Sequence, residues 1–182
     1  MTFKVCADGV LLVNTAITPA ISGEVLPKIG FRTEMPEWFD RVAWFGRGPW
    51  ESYADRKEAC FEGVYSGSVA EQRTDYILPQ ETGNKEDVRW MAVTTADGDG
   101  LMFVAPDLMA ATVGQWRAED LYQDRDHRKE HQYEVEYLDR TIVSLDAFNR
   151  ALGNASCGPD VLEKHELKST FTPFGFMIMP VR

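Results

Sequence analysis

Val88-Arg89-Trp90-Met91-Ala92-Val93-Thr94, Thr95-Ala96-Asp97-Gly98-Asp99 and Gly100-Leu101-Met102-Phe103-Val104 follow one another without a break, and together they decide the fold class. Each flanking run is too short for a stable helix and rich in residues that pack well on a pleated surface. The Asp-Gly pair between them supplies positive φ at little cost, which a type I′ hairpin turn needs twice. The stretch therefore predicts two antiparallel strands, 88–94 and 100–104. Working outward, Asp8-Gly9 separates 2–6 from 10–17 in the same way. Further runs at 28–35, 39–45, 111–116, 135–145, 163–170 and 174–180 are cut by turn residues roughly every eight to twelve positions, the spacing of an antiparallel β-sandwich. The fold class predicted is all-β.

Only residues 117–123 read as helical, with Glu119 and Asp120 suited to a helix N-terminus. The charge run that follows, 124–131, reads as a solvated face or loop. Residues 46–84 carry Gly, Pro, Ser and charges in no regular pattern. A connection that long is expected to be functional or to hold short elements of its own. There is no internal repeat of fixed period and no low-complexity segment.

The 182 residues, 20.6 kDa, suffice for one domain with a sizeable core. With 19 basic and 29 acidic residues the net charge is −10, the wrong sign for neutralising phosphates, so nucleic acid and anionic membrane are not expected as partners. Apolar residues at 44% and charged residues at 26% are near globular averages, which argues against disorder. No signal peptide or membrane span is read: the apolar stretch at 10–13 is too short for either, leaving a cytoplasmic or periplasmic parent. Three cysteines, Cys6, Cys60 and Cys157, cannot all pair and form no CxxC motif, so reduced thiols are expected.

Several residues invite a catalytic reading. An acidic, aromatic-rich β protein suggests glycosidase chemistry, which needs two acids about 5–5.5 Å apart for retention and roughly 6.5–9.5 Å for inversion. Glu51, Asp55 and Glu81 are candidates, but turn-stabilising or Arg-paired carboxylates are the expected roles. His127 and His131 stand at i and i+4 without an HExxH pattern, and His165 stands apart; a surface reading is favoured over a metal site. Cys157, in Asn154-Ala155-Ser156-Cys157-Gly158-Pro159, lies in a Gly/Pro loop with no neighbouring His, and reads as an inert loop thiol. Gly46-Arg47-Gly48-Pro49 lacks the third Gly and the following helix of a phosphate cradle. Trp44, Trp90 and Trp116 fall in strand patterns and are expected in the core, whereas Trp50 is the better candidate for a sugar platform.

Three segments carry a family resemblance. Trp44-Phe45-Gly46-Arg47-Gly48-Pro49-Trp50-Glu51-Ser52-Tyr53-Ala54-Asp55-Arg56 resembles the WxGxGPxExYxDR signature of the C-terminal small-chain domain of family 2 β-galactosidases. Tyr76-Ile77-Leu78-Pro79-Gln80-Glu81-Thr82-Gly83-Asn84 with Arg89-Trp90 is similar to its YxxPQExGN…RW segment. Leu145-Asp146 and then Leu152-Gly153-Asn154-Ala155-Ser156-Cys157-Gly158-Pro159 are similar to its closing LD…xLGxxSCGP segment.

The resemblance implies a galactose-mutarotase-like supersandwich of two large antiparallel sheets, with residues 1–182 forming a single domain that is the later part of a longer enzyme's C-terminal domain. It implies that this chain holds no catalytic residue and no metal, because the family's catalytic glutamates lie on a central barrel, as do the Mg and Na of the parent enzyme. The position matching Cys157 is an aromatic platform for the galactoside in some members and Cys in others, so Cys157, with Ser156 and Asn154, is the implied substrate-binding loop. The implied partners are the β-galactoside substrate, through the parent, and the other domains of the same polypeptide. An apolar patch left bare by those domains would also favour a homo-oligomer. The rival readings on the same fold are a free-standing carbohydrate-binding module, resting on Trp50, and an aldose epimerase, resting on Glu81 and a histidine.

Overall fold

The computed structural model describes residues 1–121, 131–153 and 158–182. Nine strands occur among them: β1 (Thr2–Val5), β2 (Leu11–Ile17), β3 (Lys28–Pro36), β4 (Arg41–Gly48), β5 (Phe61–Ser68), β6 (Lys85–Thr94), β7 (Gly100–Gly114), β8 (Arg140–Asn149) and β9 (Thr172–Val181). Every pairing is antiparallel. One helical turn, α1 (Ala118–Leu121), is all that forms of the predicted 117–123 helix among the described residues, and no described helix is long and apolar enough to cross a membrane.

The deciding hairpin forms as predicted, with Thr94 opposite Gly100 and Met91 opposite Phe103. Its turn differs from the expected type. Gly98 alone has positive φ, at 94°, while Gly98 N–H bonds to the Thr95 carbonyl (3.1 Å) and Thr95 N–H to that of Asp99 (2.8 Å). This is a three-residue loop closed by a left-handed glycine, in which Asp97 need not leave the favoured region. The first hairpin repeats it, with Gly9 at φ 86° and Cys6 N–H bonded to the Val10 carbonyl.

The strands form one connected sheet in the order β1-β2-β9-β7-β6-β4-β5, with β8 attached to β7 and β3 to β8. The branch lies within β7, which joins the two predicted strands 100–104 and 111–116 into one. Gly100–Val104 pair with β9, and Ala110–Gly114 with β8. Pro106, which has no N–H to give a ladder, sits between the two sets of partners. The β3/β8 wing folds over the β2/β9 wing, so Phe31 meets Phe176 at a centroid distance of 5.2 Å. Between the layers lie Trp44, Met91, Phe103, Val143 and Leu145, all nearly inaccessible. The sandwich thus arises from one branching sheet.

The long segment 46–84 holds an element of its own, as expected: β5, whose alternation is broken by Gly63 and Gly67 and whose Tyr65 ring packs, tilted, on Trp44 and would stand 2.5 Å from a Cβ added at Gly48 of β4. Two expectations are corrected. Residues 163–170 form a 3₁₀ turn (Glu163–His165) and an isolated bridge, Val25 to Lys168, because their backbone groups bond to the loop at 23–26 rather than to a strand. Strand β8 begins at Arg140, not 135. Val135 is instead buried with Trp116 and Leu121 in a small second core.

Candidate functional site

The motif residues converge on a polar knot between β4, β6 and β8. Glu51, with only 8% of its side chain exposed, receives four donors. Its Oε1 accepts from Arg56 Nη2 (2.7 Å) and from the Tyr76 hydroxyl, and its Oε2 from Gly83 N–H (2.8 Å) and Thr82 Oγ1 (3.1 Å). Burial, and then the bond to Glu51, push the Tyr76 phenol above its usual range. Asn84 is the second hub: its amide donates to the Ser52 carbonyl (2.8 Å) and Glu86 Oε1 (3.0 Å), and its carbonyl accepts from Asn149 (3.1 Å) and Thr112 (3.3 Å). Arg47 and Lys57 both pair with Asp87, whose carboxyl lies below its usual range: the two cations outweigh the desolvation that opposes them. Asp55 Oδ2 accepts from Gly153 N–H at 2.9 Å, so the first motif holds the entrance to the third.

A groove of about 820 Å³ lies on the side of the β3/β8/β7 wing that faces away from the core. Alternation explains its floor. Ile142, Ser144 and Asp146 of β8 point into it while Val143 and Leu145 point to the core, and the residues opposite them, Gly30, Arg32, Thr112 and Gly114, share the floor. Its walls are Lys28, the Gln80-Glu81 pair of the second motif, Trp116, Glu119 and Arg150. Lys28 Nζ sits 3.1 Å from Glu81 and 3.9 Å from Asp146. Asp146 is 2% exposed, and its Oδ2 has no hydrogen-bond partner. Burial pushes its carboxyl up to about 7, against Lys28, with Glu81 and Glu86 adding to the rise.

The chain spans only part of larger proteins. A β-galactosidase of Arthrobacter sp. (strain B7) is 36% identical over 75% of this chain and 14% of its own length. That of Priestia megaterium (strain DSM 319 / IMG 1521) is 39% identical over 56% of the chain and 10% of its own, and that of Staphylococcus xylosus 25% over 97% and 17%. The sequence pattern of the β-galactosidase small chain matches residues 1–178. This chain belongs to the β-galactosidase small-chain family. The three segments that resemble the family meet at the knot: the first and second through the donors on Glu51, and the third through the Gly153 N–H on Asp55.

The substrate-binding loop expected within this small chain, Asn154, Ser156 and Cys157, lies outside the described residues, as does His127. Glu51 and Asp55 serve as tethers, and Glu81 engages Lys28 rather than a histidine. His131 stacks on Tyr133, 5.1 Å between centroids. No group of three or more His, Cys, Asp or Glu able to hold a metal occurs among the described residues. Trp44 and Trp116 are buried as expected; Trp90 is only half-buried, because it faces the outer side of the sheet, and Trp50 is exposed. Sequence reasoning missed the Asn84 hub and Asp146. An Asp between core-facing residues of an apolar strand was the available signal.

Proposed function

We propose that this chain is the non-catalytic, sugar-facing C-terminal domain of a family 2 β-galactosidase, a retaining hydrolase of terminal β-galactosides whose two glutamates, with the parent's Mg and Na, lie on a central barrel in the rest of the polypeptide. The engagement of this chain's own carboxylates carries the reading. Retention needs one acid free to protonate the glycosidic oxygen and one free to attack. Glu51 is held by four fixed donors, Asp55 by Gly153 and Glu81 by Lys28. The experiment is hydrolysis of an aryl β-galactoside by the purified chain, where background rate is expected. Turnover that vanishes on Glu51→Gln, Asp55→Asn or Glu81→Gln overturns the proposal.

The loop bearing Asn154, Ser156 and Cys157 walls the galactoside pocket in this reading, with its entrance set by Asp55. In the full-length parent, Cys157→Trp is expected to tighten inhibitors with flat aglycones by about 1–2 kcal/mol through stacking. Unchanged inhibition constants remove the loop from the pocket.

The face that meets the rest of the polypeptide is the outer side of the large sheet. Cross-strand pairing places Val64, Phe45, Trp90, Val104, Met177 and Leu12 in one row across six strands. Five interstrand gaps of about 4.8 Å make this band roughly 24 Å wide. Its occupant is the parent's own remaining chain, since the relatives are about six to ten times longer than the part this chain spans.

A further inference from the structure

The groove on the β3/β8/β7 wing touches the polar knot at Thr112, whose hydroxyl donates to Asn84, but its remaining lining takes no part in the tethers of the knot. It is the largest concavity described and lies within the roughly 300–1,000 Å³ typical of small-molecule sites. Two buried polar atoms beside it have no hydrogen-bond partner in the fold: Asp146 Oδ2, which has only the Lys28 ammonium at 3.9 Å, and Arg150 Nε. Buried polar atoms are normally paired, so an orphaned acceptor and an orphaned donor at the edge of one cavity point to something outside the fold that completes them.

The lining also restricts the ligand's charge. Lys28, Arg32 and Arg150 face Glu81, Glu119 and Asp146, so three cations are matched by two carboxylates and a third that carries its proton part of the time, and the net charge of the lining stays within one unit of zero. Ser144 adds a hydroxyl on the floor, where that of Thr112 is already bonded to Asn84, and the small accessible part of the otherwise buried Trp116 ring, laid over Gly114, adds apolar surface at one end. Dense donors and acceptors with an apolar end suit a molecule that carries many hydroxyls together with C–H groups.

We propose that this groove binds a neutral polyhydroxylated ligand, a saccharide of one or two rings, held between the Lys28/Glu81/Asp146 cluster and Arg150. The near-neutral titration of Asp146 supports it, since a carboxyl that carries its proton part of the time can donate to a hydroxyl as well as accept from one. The proposal rests on the groove's own chemistry and not on the reading of Cys157.

The test is titration of the 182-residue chain with galactose, lactose and cellobiose over the millimolar range, with galactonate as the charged control, followed by calorimetry and amide chemical shifts. Saturable binding of at least one neutral sugar is expected, with shifts at Thr112, Ser144 and Asp146. Ser144→Trp, which fills the floor, is expected to weaken that binding at least about tenfold, and Asp146→Asn to weaken it severalfold with the fold intact. The two variants share no side-chain defect, so failure of one to fold leaves the other as the test. Absence of saturable binding overturns the proposal. So does binding that Ser144→Trp or Asp146→Asn leaves unchanged, galactonate binding more tightly than the neutral sugars, or shifts confined to the 154–157 loop.

Discussion

Glu51 and Asp146 are both buried carboxylates, and their surroundings give them opposite characters. Glu51 has four donors, among them the Arg56 guanidinium; Asp146 has one lysine at 3.9 Å and an oxygen with none. Removing the charge should therefore act in opposite directions. Glu51→Gln turns an N–H₂ toward either the Arg56 guanidinium or the Gly83 N–H, which can only donate, and is expected to cost about 2–3 kcal/mol in urea unfolding. A loss below about 0.5 kcal/mol would show that the knot relaxes without it.

For Asp146 the folded value, about 7, lies above that of an unfolded aspartate, so between pH 4 and 7 the folded state holds more protons. Stability from this group is therefore full below about pH 4 and is lost as pH rises to about 7. Asp146→Asn should flatten that slope and stabilise the chain at pH 8 by on the order of a few kcal/mol, less whatever the Lys28 contact contributes. Parallel stability curves for the two forms across this range would contradict the assignment.

At the scale of elements, the glycines of the turns and of the strands have different reasons to be glycine. Gly98 has φ 94° with nothing within 4 Å of an added Cβ, so Gly98→Ala costs backbone strain alone, about 1 kcal/mol, in thermal unfolding. Gly48 has Tyr65 in the space a Cβ would take. There Gly48→Ala is expected to cost about 2 kcal/mol or more, and Tyr65→Leu in the same chain to relieve part of it. Additive effects would mean the ring does not occupy that space. Gly63 of β5 also lies against that residue, with an added Cβ 3.2 Å from the Tyr65 hydroxyl, so a glycine that breaks the alternation of β5 gives room to the aromatic of the same strand.

At the scale of the whole molecule, the outer band and the −10 charge act together. Charge keeps copies apart, while a row of half-exposed apolar side chains favours a cover. Val64 is 67% exposed on β5, at the sheet edge, so Val64→Glu should leave the fold of the chain unchanged within about 0.5 kcal/mol. In the full-length parent it should weaken docking of this domain, read as a lower thermal midpoint of activity. If the chain alone unfolds earlier by the same amount, the residue belongs to the fold and not to an interface.

The sequence by itself determined the all-β class, most strand positions and both hairpins, because period-two alternation and Asp-Gly turns are local signals. It also pointed to the segments that meet at the knot, though not to what they do there. Tertiary structure decided that Glu51 and Asp55 are tethers, since whether a carboxylate is free or fully bonded depends on Tyr76, Gly83 and Gly153, 25 to 98 positions away. It also decided that one sheet branches at β7 to make both layers. The groove followed from that branching: its floor comes from three strands spread over 28–149, and no local pattern reports which outward-facing residues of distant strands will lie side by side.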